Sequence, residues 1–169
     1  MKVAVIGYSG SGKSTLAGKL GKMYNCPVLY LDKVQFEAGW KERDEEEARL
    51  MVKRFLEENH NWVIDGNYTK FYREQRLEES DSIVFFDFSR WTCLYQAYRR
   101  FREYRGKTRE SMAEGCEEKF DFEFIKWILH DGRTREKKKQ YADTISRHGN
   151  KVIRLKNRED LELFLQKIN

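Results

Sequence analysis

The most constraining feature of this chain is a glycine-rich segment directly after a short apolar run. The run is Val3-Ala4-Val5-Ile6, and the segment is Gly7-Tyr8-Ser9-Gly10-Ser11-Gly12-Lys13-Ser14-Thr15. Its G-x-x-x-x-G-K-S spacing is that of a phosphate-binding loop, in which glycines let successive backbone N–H groups face an anion at a helix N-terminus. The sequence therefore predicts a strand, this loop and a helix in that order.

The loop residues predict a nucleotide site. Lys13 would reach the β- and γ-phosphates, and the Ser14 hydroxyl would bind Mg²⁺, which prefers oxygen ligands and substrate phosphates to a full protein cage. The alternative is a Gly/Ser-rich turn that only caps a helix. The helical spacing of Leu16, Ala17 and Leu20 favours the phosphate loop. The residues expected to bind the nucleotide here are Gly7, Ser9, Gly10, Ser11, Gly12, Lys13, Ser14 and Thr15.

Length and composition predict one cytoplasmic domain, residues 1–169. With 169 residues, of which 40% are hydrophobic, the chain is long enough for one core, and no low-complexity tract marks a linker. Cys26, Cys93 and Cys116 lack the spacing of a zinc site and indicate a reducing compartment. No apolar run is long enough for a signal peptide or membrane span. The net charge of +5 suits an anionic partner, either a nucleotide or a nucleic acid.

Apolar runs and amphipathic patterns alternate along the chain. The first strand, helix and strand form a βαβ unit, which implies parallel pairing and a right-handed crossover. Five strands alternating with helices predict an α/β fold, a three-layer α/β/α sandwich around a mainly parallel sheet. The predicted strands lie at about 2–6, 28–31, 62–64, 82–88 and 151–155, and the helices at about 13–24, 44–59, 90–104, 120–129, from 133 and from Asn157.

Carboxylates follow three of these strands, at the sheet edge where ligands bind in parallel α/β folds. Asp65 is a candidate Mg²⁺ ligand, directly or through water, and its alternative is an Asp that opens a turn. Asp32 would end the neighbouring strand and orient or deprotonate an acceptor hydroxyl, with helix capping as its alternative. Asp87 is a third candidate, although Phe86 and Phe88 beside it indicate an ordinary strand end.

A strongly basic segment runs from Arg99 to Arg109, where six of eleven residues are cationic. Three interpretations stay open. A mobile lid containing Gly106 would close over the transferred phosphate and exclude water. A solvated helix face needs no ligand. A nucleic-acid surface would stack bases on Phe101 and Tyr104.

Several motifs together resemble the bacterial DNA topology modulation proteins (FlaR-related). They are the phosphate loop, Tyr30-Leu31-Asp32 followed by Gly39-Trp40, Trp62-Val-Ile-Asp-Gly-Asn-Tyr68, and Tyr104-Arg-Gly-Lys-Thr-Arg109 through Gly115-Cys116 to Phe124. That family is similar to adenylate kinase and other small P-loop kinases. The resemblance implies a P-loop NTPase fold with a five-stranded parallel sheet in the order 2-3-1-4-5, an acceptor-binding region at about 33–61 and a lid at about 99–116.

The resemblance also implies roles for residues. It places ATP in the loop, the metal at Asp65, an acceptor-contacting acid at Asp32 and lid cations at Arg105 and Arg109. It identifies Lys156-Asn157-Arg158 as the adenine-contacting loop. One departure is that Asp65-Gly-Asn-Tyr lacks the Asp-Gly-Phe-Pro-Arg sequence of adenylate kinases, which puts a nucleoside monophosphate acceptor in doubt.

These observations predict a Mg²⁺-dependent, ATP-binding kinase that transfers the γ-phosphoryl group to a small acceptor, with nucleotides and nucleosides among the candidates. The expected catalytic residues are Lys13, Asp32, Arg105 and Arg109, with Lys156 and Asn157 at the nucleotide and Ser14 and Asp65 at the metal. The alternative is a nucleotide-gated, DNA-associated regulator with little turnover. A GTPase is disfavoured because no Asn-Lys-x-Asp or Thr-Lys-x-Asp signature follows the loop.

Overall fold

The structure, a computed structural model, describes residues 1–168. Within them, every helix is too short or too polar to span a membrane. Short 3₁₀ turns lie at Ala38–Trp40, Asp131–Arg133 and Gly149–Lys151. The strands are β1 Lys2–Gly7, β2 Val28–Tyr30, β3 Trp62–Asp65, β4 Ser82–Phe86 and β5 Val152–Leu155. The helices are α1 Lys13–Met23, α2 Leu31–Gln35, α3 Glu45–Glu58, α4 Arg73–Glu79, α5 Arg90–Glu103, α6 Phe122–Leu129, α7 Arg135–His148 and α8 Arg158–Ile168.

The five strands form one parallel sheet in the order β2-β3-β1-β4-β5. Parallel strands covered by helices read as nearly continuous apolar runs, and every residue of β3 is buried. The predicted sheet and its order are confirmed, and the fold is the three-layer fold of adenylate-kinase-like P-loop kinases. In this order β1 is central, so the loop that follows it is flanked by the ends of β3 and β4.

The core joins the sheet to the helices that cover it. Leu16 and Leu20 on α1, Val52 on α3 and Ala97 on α5 are buried in the same apolar cluster as the inner strands. Deleting a fully buried leucine side chain such as Leu20 typically costs about 3 kcal/mol of stability. The site described below therefore rests on a well-packed support.

The structure corrects the predicted bounds at two strand ends. The last residue pair between β2 and β3 is Tyr30 with Asp65, where β3 also ends. Because no partner continues beyond it, the chain turns into α2 at Leu31, and the prediction that Leu31 and Asp32 complete the strand is wrong. Strand β4 likewise ends at Phe86 rather than at residue 88.

Two further differences concern helices. Helix α4 was not expected, because two of its three buried residues are arginines, Arg73 and Arg76, and the apolar spacing that predicts a helix is therefore missing. The first residues of the predicted lid, 99–103, belong to α5. The connection between α5 and α6, residues 104–121, is here called the strap.

Candidate active site

The phosphate loop joins β1 to α1 and is fixed by close backbone packing. Gly10 and Gly12 have φ angles of 79° and 96°, in the left-handed region that favours glycine. A Cβ on Gly10 would lie 2.5 Å from the carbonyl oxygen of Cys93 on α5, so no side chain fits there. The buried Ser11 hydroxyl donates to the Tyr8 carbonyl at 2.7 Å. The backbone is thus held in one shape at the N-terminus of α1, where phosphates bind.

Lys13, Ser14 and Asp65 form a connected polar group at this helix end. Lys13 Nζ donates to the Tyr8 carbonyl at 2.9 Å, and Ser14 Oγ donates to Asp65 Oδ2 at 2.6 Å. Burial raises the pKa of Asp65 to about 6, against the opposing effects of the Lys13 charge and the Ser14 hydrogen bond. Burial also lowers the pKa of Lys13, while the Asp65 and Asp32 charges act to raise it. Charges held away from water in this way act strongly on a bound substrate.

The donor set at Asp65 fits a magnesium ion. Its Oδ1 atom is buried and has no hydrogen-bond partner within residues 1–168. An orphan carboxylate oxygen beside the Ser14 hydroxyl offers the hard oxygen ligands that Mg²⁺ prefers. Across the same residues, no three His, Cys, Asp or Glu side chains are grouped to hold a metal. An ion here would take its other ligands from phosphates and water.

Asp32 lies in the first turn of α2 and still faces the same cleft. The Tyr68 hydroxyl donates to Asp32 Oδ1 at 2.8 Å, which joins α2 to the segment after β3. The charge of Asp32 acts on Lys13 and on Asp65, as their altered pKa values show. The structure therefore brings together Lys13, Ser14, Asp65 and Asp32, although Asp32 arrives there from a helix and not from a strand end.

Two residues outside the predicted site hold the segment after β3. Asn67 Oδ1 accepts from the Gly7 N–H at 3.0 Å, and its Nδ2 donates to the Gly7 carbonyl at 2.6 Å. The fully buried Arg76 donates to the carbonyls of Phe71 at 2.7 Å and Tyr68 at 2.8 Å. Burial lowers the pKa of Arg76 to about 9, as does the nearby Arg73. Asn67 directly follows Asp65-Gly66, so its position next to a predicted site residue could have indicated a role. No sequence pattern indicates a role for Arg76.

The predicted lid cations occupy different environments. Arg109 is mostly buried, pairs with Glu118 and donates to the Ser111 hydroxyl at 3.0 Å. Arg100, at the end of α5, donates to the other Glu118 oxygen at 2.8 Å. Arg105 is exposed and has no ion pair within residues 1–168. The two cations that the structure places together are therefore Arg100 and Arg109, and Arg100 was not among the predicted site residues.

Arg100 and Arg109 both act on the cleft. Burial and the neighbouring Arg109 lower the pKa of Arg100, whereas Glu118 and Asp32 raise it. The charge of Arg109 opposes the rise in the pKa of Asp65 caused by burial. These effects require both guanidinium groups to lie near the carboxylates beside Lys13. No sequence pattern indicates that Glu118, eighteen residues after Arg100, pairs with both arginines.

The strap is seated on the turn at Ala38–Trp40, which lies in the predicted acceptor region. The buried Cys116 thiol donates to the Glu37 carbonyl at 3.2 Å, and the Trp40 N–H donates to its sulfur at 3.3 Å. The Trp40 indole N–H donates to the Glu117 carbonyl at 3.1 Å. The strap and the acceptor region thus meet across the cleft in this structure.

Four other residues were predicted to bind the nucleotide, namely Ser9, Thr15, Lys156 and Asn157. The Ser9 hydroxyl accepts from the Trp127 indole at 3.0 Å, and Thr15 is exposed in the first turn of α1. After β5, Asn157 Oδ1 accepts from the Asp160 N–H at 2.9 Å, and the Lys156 N–H donates to the Asp160 carboxylate at 2.7 Å. Both residues therefore bond to the first turn of α8.

Asp87, the third candidate acid, lies just after β4 and is engaged elsewhere. Arg154 on β5 donates through Nε to its carboxylate at 2.8 Å. This pair joins two neighbouring strands at the sheet edge. Asp87 is thus paired with an arginine, whereas Asp32 and Asp65 form no ion pair within residues 1–168.

Solved structures share this fold. A shikimate kinase from Bacteroides thetaiotaomicron matches with a TM-score of 0.52 and 18% identity, over 99% of this chain and 95% of that chain. A gluconokinase from Sinorhizobium meliloti 1021 matches with a TM-score of 0.50 and 14% identity, over 92% and 81%. An uncharacterized protein from Eubacterium ventriosum ATCC 27560 has a TM-score of 0.47 and 15% identity, over 99% and 98%. No protein-family model matches this chain, and no curated protein does.

Proposed function

We propose that this chain is an ATP-dependent, Mg²⁺-using kinase that transfers the γ-phosphoryl group to the hydroxyl of a small molecule. The observation that carries the proposal is the Ser14–Asp65 hydrogen bond beside Lys13, with the Asp32–Tyr68 pair facing the same cleft. Phosphoryl transfer needs a metal site, an acid near the acceptor and cations around the moving group, and the cleft offers each. The fold shared with a shikimate kinase and a gluconokinase supports the proposal.

In the proposed reaction the loop residues bind the phosphates of ATP. The backbone N–H groups at the start of α1 and the Lys13 ammonium stabilise negative charge on the β- and γ-phosphates. Bound Mg²⁺, held by Ser14 and Asp65, would neutralise charge on the phosphate oxygens. Lys13 leaves its contact with the Tyr8 carbonyl to do this, which costs little because that contact is a single hydrogen bond.

Asp32 acts on the acceptor. Its carboxylate accepts the proton of the acceptor hydroxyl as the hydroxyl oxygen bonds to the γ-phosphorus, and the bond to the ADP oxygen breaks. The Tyr68 hydroxyl holds Asp32 Oδ1 at 2.8 Å, which fixes the orientation of the carboxylate. Tyr68 is in turn fixed through its own carbonyl by Arg76.

The end of α5 and the strap together supply charge to the transferred group. We assign this role to Arg100 and Arg109, because both act on the carboxylates of the cleft, while Arg105 is exposed. The proposed organisation is a single domain with an acceptor region at about 33–61 and a lid that begins where α5 ends, later than the residue 99 expected from sequence. Localisation to the cytoplasm remains part of this proposal.

A second candidate function, a nucleotide-gated regulator that contacts DNA, has one observation in its favour. Helix α5 exposes three aromatic rings at helical spacing, Trp91 at 66%, Tyr95 at 60% and Tyr98 at 44%. Bases stack on such rings, and arginines follow on the same helix. The sequence predicts Phe101 and Tyr104, not these three, as the rings that would stack on bases. In the structure Phe101 stacks on Phe120 at a centroid distance of 6.0 Å. The resemblance to DNA topology modulation proteins does not separate the two candidates, because that family is similar to small P-loop kinases while its name implies an effect on DNA topology.

One pair of assays separates the two functions. ADP release is measured with nucleosides, nucleotides and small hydroxyl metabolites as acceptors, beside DNA binding at two salt concentrations. Acceptor-dependent ADP release supports the kinase. Salt-sensitive DNA binding without turnover, reduced by replacing Tyr95 and Tyr98 with alanine, would support the regulator and contradict the kinase.

A further inference from the structure

Two cations of the acceptor region, Arg43 and Lys41, are already paired with groups of the protein. Arg43 donates to the Val34 carbonyl at 3.0 Å and to Glu47 at 2.6 Å, and Lys41 pairs with Glu37 at 2.9 Å. Arg43 and Lys41 are therefore not free to bind an anion, which for a bidentate arginine contact would need two free N–H groups on one edge of the guanidinium.

The other basic side chains of this region also have neighbours or lie in solvent. Lys53 pairs with Glu57 at 3.8 Å, and Arg49 lies over the Tyr72 ring at 4.9 Å. Lys33 is exposed, 6.0 Å from the Tyr30 ring centroid, and Arg54 is exposed on α3. Solvent screens these exposed charges, so none forms a buried anion site.

Two tyrosine hydroxyls, those of Tyr30 and Tyr68, have carboxylates near them. Burial raises the pKa of Tyr68, and the charges of Asp32, Asp65 and Glu42 raise it further. Burial likewise raises the pKa of Tyr30, together with the charges of Glu110 and Asp65. Carboxylates therefore lie near both hydroxyls, and their negative charge opposes the binding of a second anion beside them.

Glu118 removes positive charge from the cleft. It is buried between Arg100 and Arg109, with one carboxylate oxygen on each guanidinium. Two arginines that share one internal carboxylate have a net charge of one between them. The phosphates of ATP would use this charge and that of Lys13, so the Arg100–Arg109 pair has no further positive charge for a second anionic substrate.

Helix α2 contains a buried hydrogen-bond acceptor, Gln35 Oε1, that receives no hydrogen bond within residues 1–168. Gln35 lies three residues after Asp32 on this helix. A hydroxyl-bearing ligand offers the O–H donor that would satisfy such an acceptor atom.

We propose that the acceptor site takes an uncharged, hydroxyl-bearing molecule and excludes phosphorylated or carboxylate acceptors. This inference rests on the proposed kinase function and names its substrate class. The Asp32 carboxylate receives the reacting hydroxyl, and the carboxylates around Tyr30 and Tyr68 exclude anions. Within the chemistry expected from the sequence, a nucleoside fits and a nucleoside monophosphate does not.

The test uses the full chain and inorganic phosphate as the anion probe. The protein is first titrated calorimetrically with a non-hydrolysable ATP analogue and Mg²⁺, and then, when loaded, with phosphate at low salt. We expect the analogue to bind and the loaded protein to bind no phosphate more tightly than about 1 mM. Failure of the analogue to bind would overturn the kinase proposal itself. Analogue binding followed by stoichiometric phosphate binding below about 1 mM would overturn only the acceptor class.

Glu118→Gln provides the sharper test, because it keeps the side-chain size and frees one positive charge. The loaded variant should gain phosphate binding by about tenfold over wild type, and Glu117→Gln, an exposed neighbour with the same charge change, should gain none. Equal phosphate affinity in both variants would contradict the charge-balance argument. Turnover with matched pairs, a nucleoside against its 5′-monophosphate, should favour the uncharged member at least about tenfold in kcat/KM, and the reverse preference would overturn the proposal.

Discussion

The phosphate loop and the strap face the same cleft but are held by different kinds of contact. In the loop, the backbone itself is packed, since a Cβ on Gly10 would meet the Cys93 carbonyl at 2.5 Å and Asn67 bonds both polar groups of Gly7. In the strap, Gly106 has no atom within 4 Å of where a Cβ would lie. The strap is held instead by side-chain contacts, chiefly those of Glu118 and Trp40.

This difference separates binding from catalysis. In the proposed kinase, a loop fixed by its backbone would bind the same phosphates in every state of the protein, so its residues should affect nucleotide affinity and turnover together. A strap fixed by a few side-chain bonds, each worth roughly 1–3 kcal/mol, can open and close at moderate cost. Its cations should therefore affect turnover more than nucleotide affinity.

The largest effect is expected from Lys13→Ala. The variant loses a cation that stabilises transition-state charge in a desolvated site, so turnover should fall about 1000-fold, and ATP should no longer raise the melting temperature. Lys19→Ala, on the exposed face of the same helix, is the matched control and should behave as wild type. ADP release and thermal melting with ATP measure the two effects. Wild-type turnover in Lys13→Ala would rule out the phosphate-loop assignment.

Asp32→Asn should produce the next largest effect, confined to the transfer step. Loss of the base should lower kcat about 100-fold, with the Kd for ATP changed less than about twofold. Tyr68→Phe removes only the hydrogen bond that orients Asp32 and should lower kcat by about tenfold. If Asp32→Asn turns over the true acceptor at the wild-type rate, the residue has only a structural role in α2.

Arg100 at the end of α5 and Arg109 in the strap should together give a smaller effect, which Arg105 should not share. Replacing Arg100 and Arg109 with alanine, with Glu118→Gln to avoid a buried unpaired carboxylate, should lower kcat about 30-fold and change the Kd for ATP less than about threefold. Arg105→Ala removes the same charge from an exposed position and should change neither. Steady-state kinetics and calorimetry check both. If Arg105→Ala lowers kcat more than replacement of Arg100 and Arg109 does, the role in the lid belongs to Arg105 and not to Arg100.

The parts of the fold that sequence predicted are those with strong local signals. The strands are apolar runs, Gly10 and Gly12 occupy positions that admit little else, and the sheet order followed from resemblance. Helix α2 was missed because it is five residues long and begins where the β2–β3 ladder ends. Helix α4 was missed because its buried face carries arginines.

The candidate site likewise has contacts that the sequence predicts and contacts that it does not. Ser14 and Asp65 were predicted to share a metal, and they lie in hydrogen-bond contact. The Glu118 pairings with Arg100 and Arg109 and the Arg76 bonds to carbonyls join residues whose closeness depends on the tertiary structure. A single sequence contains charge density but no record of which charges meet. That is why Arg105 and Arg109 looked equivalent in the sequence and differ in the structure.

The central claim is that Ser14 and Asp65 hold the metal that accompanies a nucleotide at the phosphate loop. Calorimetric titration of ATP into wild type and Asp65→Asn, each with and without Mg²⁺, tests it most directly. We predict one site in wild type whose affinity for ATP rises about tenfold with Mg²⁺, and no such gain in Asp65→Asn. Absence of ATP binding by wild type, or an equal gain with Mg²⁺ in both proteins, would contradict the account.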